Sequence, residues 1–158
     1  MANIFKKLLG EKDSPYEKKI YLAQPSILYH TRTEKECKSY LKSHFDAKKI
    51  YTPMDYRKRD RAFFKQLMVE SDVVIGITIE DVYTYSVWQD LEYAESAGKP
   101  FFTLRVVKSP SGKDLDLFLI EGMADFEKLS WEDTKSLYME IQKKQLGFPL
   151  LFGRRPEY

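Results

Sequence analysis

Two carboxylates stand two residues apart in the segment Val87-Trp-Gln-Asp-Leu-Glu-Tyr-Ala94: Asp90 and Glu92. On a helix that spacing points them to different faces, so one looks inward while the other meets solvent. Asp90 shares its face with Tyr93 and Ala94, which read as inward positions, and is therefore the candidate to face a ligand. A carboxylate in the first turns of a helix is favoured as the anion by the helix dipole, which suits a nucleophile better than an acid. The same placement also fits a first-turn acid that only complements the dipole.

Other chemistries have little to work with. Two His and the single cysteine Cys37 leave too few ligands for a Cys/His zinc centre, so no metal is expected. The chain has no G-x-G-x-x-G turn, no P-loop and no G-x-S-x-G elbow. No cofactor is expected, and the remaining candidates are carboxylates and tyrosines at strand ends.

The elements that must position these residues can be read from the pattern. Lys19–Ala23 is an apolar run stopped by Gln24-Pro25, a buried first strand. Thr33 with Glu36 forms a capping-box pattern that predicts a helix over 33–44. Lys49–Thr52 is a second strand, ended by Pro53. The charge run Arg57-Lys-Arg-Asp-Arg61 reads either as a phosphate-facing patch or as the solvated first turns of a helix reaching Ser71. Asp72–Ile79 is β-branched and almost continuously apolar, as a strand covered on both faces should be. After a loop at 80–85, a helix is predicted from Ser86 to Ala97, ending at Gly98 with Pro100 beyond it. Pro100–Val107 is the fourth strand and Lys108–Lys113 a polar loop of the kind that closes over sites. Residues 114–123 read as a short helix and Phe126–Leu129 as a fifth strand. Trp131–Gln145 is amphipathic, with Trp131, Thr134, Leu137, Tyr138 and Ile141 on one face.

This alternation predicts an α/β domain over 19–158, preceded by an extension and linker at 1–18. Connection lengths suit a flavodoxin-like three-layer sandwich with a five-stranded parallel sheet in the order 2-1-3-4-5. Ligands of such sheets sit beyond the carboxyl ends of the strands, which gathers Gln24–Arg32, Thr52–Arg59, Ile79–Tyr85 and Val106–Lys113 around one crevice. The 158 residues suit one core. With 26 basic and 24 acidic residues the chain lacks the basic excess of a nucleic-acid binder. One cysteine permits no internal disulfide and points to a reducing, cytoplasmic setting. No apolar run approaches spanning length, and no membrane partner is expected, although the N-terminal Ile4, Phe5, Leu8 and Leu9 at helical spacing fit an amphipathic anchor or a docked terminal turn.

Several short segments together resemble nucleoside 2-deoxyribosyltransferases. Ile20-Tyr-Leu-Ala-Gln-Pro25 resembles that family's first strand and loop, Tyr51-Thr-Pro-Met-Asp55 its second-strand exit, and Ser71-Asp-Val-Val-Ile-Gly76 its third strand. Val87–Ala94 with Gly98-Lys-Pro100 resembles the helix that carries the catalytic glutamate, and Gly122-Met-Ala-Asp125 a further active-site loop. The resemblance implies that Asp90 is the nucleophile, that Tyr21 holds it, and that Gln24, Pro25, Asp55, Glu92 and Asp125 contribute to substrate binding. It also implies homo-oligomers, with the terminal Tyr158 reaching a neighbour's site. The implied reaction is cleavage or transfer of the N-glycosidic bond of a nucleoside or nucleotide through a covalent ester, with Asp81 as the acid that protonates the leaving base. The chain departs from the family pattern with Asp for Glu at the nucleophile, Glu92 for a small residue, Phe64 for a sugar-binding Asp and Trp88 for a small turn residue. These departures leave a hydrolase or a non-catalytic nucleotide-binding module as alternatives. Ser86-x-Trp88-x-x-x-Glu92 also resembles the S-x-W-x-x-x-E signature of TIR domains, some of which cleave NAD; in that register Glu92 is the catalytic acid.

Overall fold

A computed structural model describes residues 18–144. Its elements are β1 (Lys18–Ala23), α1 (Arg32–Phe45), β2 (Ala47–Tyr51), α2 (Arg61–Glu70), β3 (Val73–Ile79), β4 (Val82–Tyr83), α3 (Tyr85–Ser96), β5 (Phe101–Lys108), β6 (Leu115–Glu121), β7 (Glu127–Lys128) and α4 (Trp131–Lys144), with short 3-10 turns at Ser26–Leu28 and Pro53–Tyr56. The protein is a mixed α/β structure with a mostly parallel sheet, compatible with a three-layer sandwich.

The sheet is built outward from β3, whose seven residues are all buried. β2, β1, β3 and β5 lie side by side and parallel. Alternate residues of the strands point to opposite faces, and two apolar clusters result. Ile20, Leu22, Ile75, Ile77 and Leu104 pack with Cys37 and Leu41 of α1 and Ile141 of α4. Tyr21, Ala23 and Val74 pack on the other face with Met68 of α2 and Val87, Leu91 and Ala94 of α3. At Gly76 the backbone of β3 touches α3, and a Cβ there would lie 2.7 Å from Leu91 Cδ1. A side chain at this position would lift α3, and Asp90 with it, off the sheet.

Helix ends follow local chemistry. Thr31 caps α1, its hydroxyl accepting from Glu34 N–H at 3.2 Å, so the cap lies two residues before the expected Thr33. Asp60 caps α2 by accepting from Phe63 N–H at 3.0 Å. α3 ends as predicted near Gly98, which takes φ +72°. There Lys99 N–H donates to Ala94 C=O and Gly98 N–H to Glu95 C=O, the paired bonds of a left-handed helix stop.

The far half of the sheet corrects the expected order. Residues 115–121 are a strand, not a helix, and β6 runs antiparallel to β5. The alternating Leu115, Leu117 and Leu119 lean on the α1/α4 core cluster, a period-2 signal that the helix reading overlooked. The expected fifth parallel strand shrinks to the two residues of β7, which pair with β4. Among the described residues the sheet therefore has seven strands instead of five. Lys18 belongs to β1, not to the linker. The polar loop after β5 is a hairpin turn with its own bonds, such as Ser109 N–H to Asp114 C=O at 2.9 Å. In α4, Thr134 and Ile141 are buried but Trp131 is 51% exposed. Among the described residues no helix is long and apolar enough to cross a membrane. The N-terminal segment and the tail from 145 lie outside the described residues.

Candidate functional site

Asp90 is 3% exposed, against the sheet face that carries Tyr21. Two elements converge on its carboxylate. Tyr21, from the middle of β1, donates its hydroxyl to Oδ2 at 3.0 Å. Arg61, the first residue of α2, places Nη1 on Oδ1. Tyr21 is fully buried, whereas the Arg61 side chain is 45% exposed. The guanidinium is thus the lid of the arrangement, and the phenol its floor.

The electrostatics follow from that placement. Burial raises the Asp90 pKa above the ordinary carboxylate value, opposed by the hydrogen bond and charge of Arg61 and by the Tyr21 hydroxyl. Tyr21 is itself driven upward, first by burial and then by the adjacent Asp90, so it remains a neutral donor. A carboxyl group held in this way has little solvent around it and one partly exposed cation at its side. In front of Arg61 a shallow cleft of about 260 Å³ lies between α2 and α3, lined by Arg61, Lys65, Trp88, Gln89, Glu92 and Tyr93.

Glu92 lines that cleft but does not share the buried site. Its carboxylate accepts from Lys128 Nζ at 2.8 Å, with both side chains nearly half exposed. The two-residue spacing therefore separates the acids as expected, Asp90 inward and Glu92 outward. Trp88, where a small turn residue was expected, anchors α3 by donating Nε1–H to Leu129 C=O at 2.8 Å.

Asp81 does not fit the acid role. It sits in the β3–β4 turn, where Glu80 and Asp81 both take positive φ, and its carboxylate receives two bonds from Arg105, at 2.6 and 3.0 Å. The bond from Arg105 is the main reason that its pKa falls below the ordinary value. A carboxyl held as the anion has no proton to give a leaving base.

Other expected site residues are dispersed. Gln24 turns toward α1 and donates to Glu34 Oε2 at 2.6 Å, while its Oε1 is buried with no partner among the described residues. Pro25 is buried and accepts from Leu28 N–H at the start of the 3-10 turn. Asp55 accepts from Tyr29 Oη at 2.8 Å, which raises the Tyr29 pKa. These two line a second cleft, of about 370 Å³, with Met54, Tyr56, Arg57, Lys58 and Arg59. Asp125 is exposed in the loop after β6. That loop is pinned from below, because Ala124 N–H donates to Tyr83 Oη at 2.6 Å and Thr103 Oγ1 donates to Gly122 C=O at 2.8 Å. Tyr158 lies outside the described residues. Among the described residues no group of three or more His, Cys, Asp or Glu could hold a metal ion.

Sequence reasoning missed Arg61. It stood in the charge run, but its partner is 29 residues away, and nothing local in the sequence links them. Compared with known proteins, the chain matches no family model and no curated protein.

Proposed function

We propose that this protein cleaves or transfers the N-glycosidic bond of a nucleoside or nucleotide, with Asp90 as nucleophile. The observation that carries the reading is the buried Asp90 carboxylate held by the Tyr21 hydroxyl and covered by Arg61. The parallel core β2-β1-β3-β5 supports the flavodoxin-like reading of the sheet, and the Tyr21–Asp90 bond supports the role that the resemblance to nucleoside 2-deoxyribosyltransferases gives those two residues.

Arg61 must first swing outward, which its exposed position at the start of α2 allows. An Asp90 oxygen then bonds to C1′ as the C1′–N bond breaks, and the electron pair leaves with the base. With Asp81 committed to Arg105, the departing base takes its proton from water, leaving hydroxide. Hydroxide attacks C1′ of the ester, the C1′–O bond to Asp90 breaks, and the carboxylate is regenerated; a second base attacking instead, its N–H proton going to the hydroxide to restore water, gives transfer. Tyr21 keeps its hydrogen bond to Oδ2 throughout and fixes the carboxylate's orientation. The substrate is a small molecule, no cofactor takes part, the family likeness carries the proposal of a homo-oligomer, and the single cysteine carries that of a cytoplasmic setting.

A second reading, a nucleotide-binding module without catalysis, is favoured by one observation: both Asp90 oxygens are already engaged. The TIR-like reading draws less support, since Glu92 pairs with Lys128 on the surface. The test is incubation with deoxynucleosides, nucleoside monophosphates and NAD, measuring free base. Release that disappears in Asp90→Asn supports the enzyme; no release from any of them at high protein concentration removes it, and ligand-induced rise of the melting temperature without release favours the binding module.

A further inference from the structure

The loop between β2 and α2 holds a second feature that the glycosidic chemistry has not used. The expected helix does not begin at Arg57: Asp60 is its cap, so Arg57, Lys58 and Arg59 belong to the loop instead of a solvated helix face. All three are exposed and line the cleft of about 370 Å³. Among the described residues none of them forms an ion pair. The one carboxylate lining the cleft, Asp55, is bonded to Tyr29, and Asp60 is spent on the cap. Arg59 lies 4.8 Å over the Phe63 ring, which steadies its guanidinium without neutralising it. Three cations against the single Asp55 carboxylate leave this concave wall net positive, which raises the local concentration of anions, and the adjacent start of α2 adds a dipole of the same sign.

Two residues further on stands Arg61, whose one bonded partner among the described residues is Asp90 and whose remaining guanidinium donors can reach a second acceptor. We propose that Arg57, Lys58 and Arg59 form a subsite for the phosphate of a phosphorylated substrate, and that the bound phosphate draws Arg61 away from Asp90. The proposal rests on the reading of Asp90 as nucleophile only for its second part. It ties substrate choice to access: a nucleoside without phosphate leaves the lid in place, whereas a nucleotide supplies the anion to which Arg61 moves. The positive charge that develops at C1′ as the base departs then takes the guanidinium's place beside the carboxylate.

Titration calorimetry on the full chain, with each common deoxynucleoside and its 5′-monophosphate, reads the subsite without turnover. The monophosphate is expected to bind at least about tenfold more tightly than its nucleoside, since charge-assisted hydrogen bonds are at stake. The double variant Arg57→Ala/Arg59→Ala, both positions being exposed, is expected to keep its fold and lose that preference. Equal affinities, no monophosphate binding, or a preference that survives in the double variant would overturn the subsite. The movement of Arg61 is read from the carbon-13 resonance of the Asp90 carboxyl. Monophosphate is expected to raise its titration midpoint in the wild type and not in the double variant; identical titration with and without monophosphate overturns the second part. Phosphate-dependent binding without base release leaves the subsite standing and sinks the proposed reaction. Equal release from nucleosides and monophosphates does the reverse.

Discussion

Two aspartates in this protein each hold an arginine, and their surroundings drive them in opposite directions. Asp81 meets Arg105 in an open β-turn, where water reaches both side chains and the guanidinium holds the carboxyl below its ordinary pKa. Asp90 meets Arg61 under the edge of two helices, where burial outweighs the cation and the pKa rises. The same pair of groups is a surface clasp in one place and a largely desolvated pair in the other. The deciding variable is the solvent that each carboxylate loses, because desolvation penalises the charged form whatever stands beside it.

The largest expected contrast is in activity. Asp90→Asn should lower base release by about a thousandfold or more, as loss of a covalent nucleophile does, while Asp81→Asn should leave the rate within about twofold. Single-turnover assays with a monophosphate substrate check both, and equal losses would break the comparison. Next is the support under Asp90. Gly76→Val forces a side chain into Leu91 and Val87 and should cost about 1–3 kcal/mol in urea unfolding, with a loss of rate as α3 shifts. Tyr21→Phe keeps the ring and removes the donor to Asp90. It should cost about 1 kcal/mol and move the acidic limb of the rate profile to higher pH, since that hydrogen bond lowers the Asp90 pKa.

The smallest effect sharpens the comparison through the pH dependence of stability. Because the Asp90 pKa is raised on folding, its contribution is full below the ordinary carboxylate value and is lost as pH rises through the raised value. Removing Arg61 takes away a lowering influence, so Arg61→Met should extend that loss to higher pH. Asp81 behaves oppositely: its contribution is present above the ordinary value and is lost as pH falls through the lowered one, so Asp81→Asn should flatten the acid limb. Denaturant midpoints of the three proteins from roughly pH 2 to pH 8 give the curves, and shifts of the same sign in both variants would contradict the contrast.

Much of this arrangement was legible in short stretches of sequence. The unbroken apolar run of β3 requires cover on both faces, and α1/α4 and α2/α3 supply it. Gly98 and Pro100 stop α3 where its hydrogen bonds run out. The two-residue spacing of Asp90 and Glu92 puts one acid inside and one outside, because a helix turns about 100° per residue. Residues 115–121 were misread because a short apolar run fits either element unless the alternation of Leu115, Leu117 and Leu119 is weighed.

Local pattern thus determines which segments fold into strands and helices and which acid turns inward, since both depend on neighbours a few residues apart. The partners of the charged groups are a different matter. Arg61 reaches Asp90 only because α2 and α3 lie on the same face of the sheet, and Arg105 reaches Asp81 only because β5 runs parallel to β3 with Arg105 beside Thr78. Those meetings are set by the packing of distant elements, and it is packing that removes water from one carboxylate and leaves it on the other.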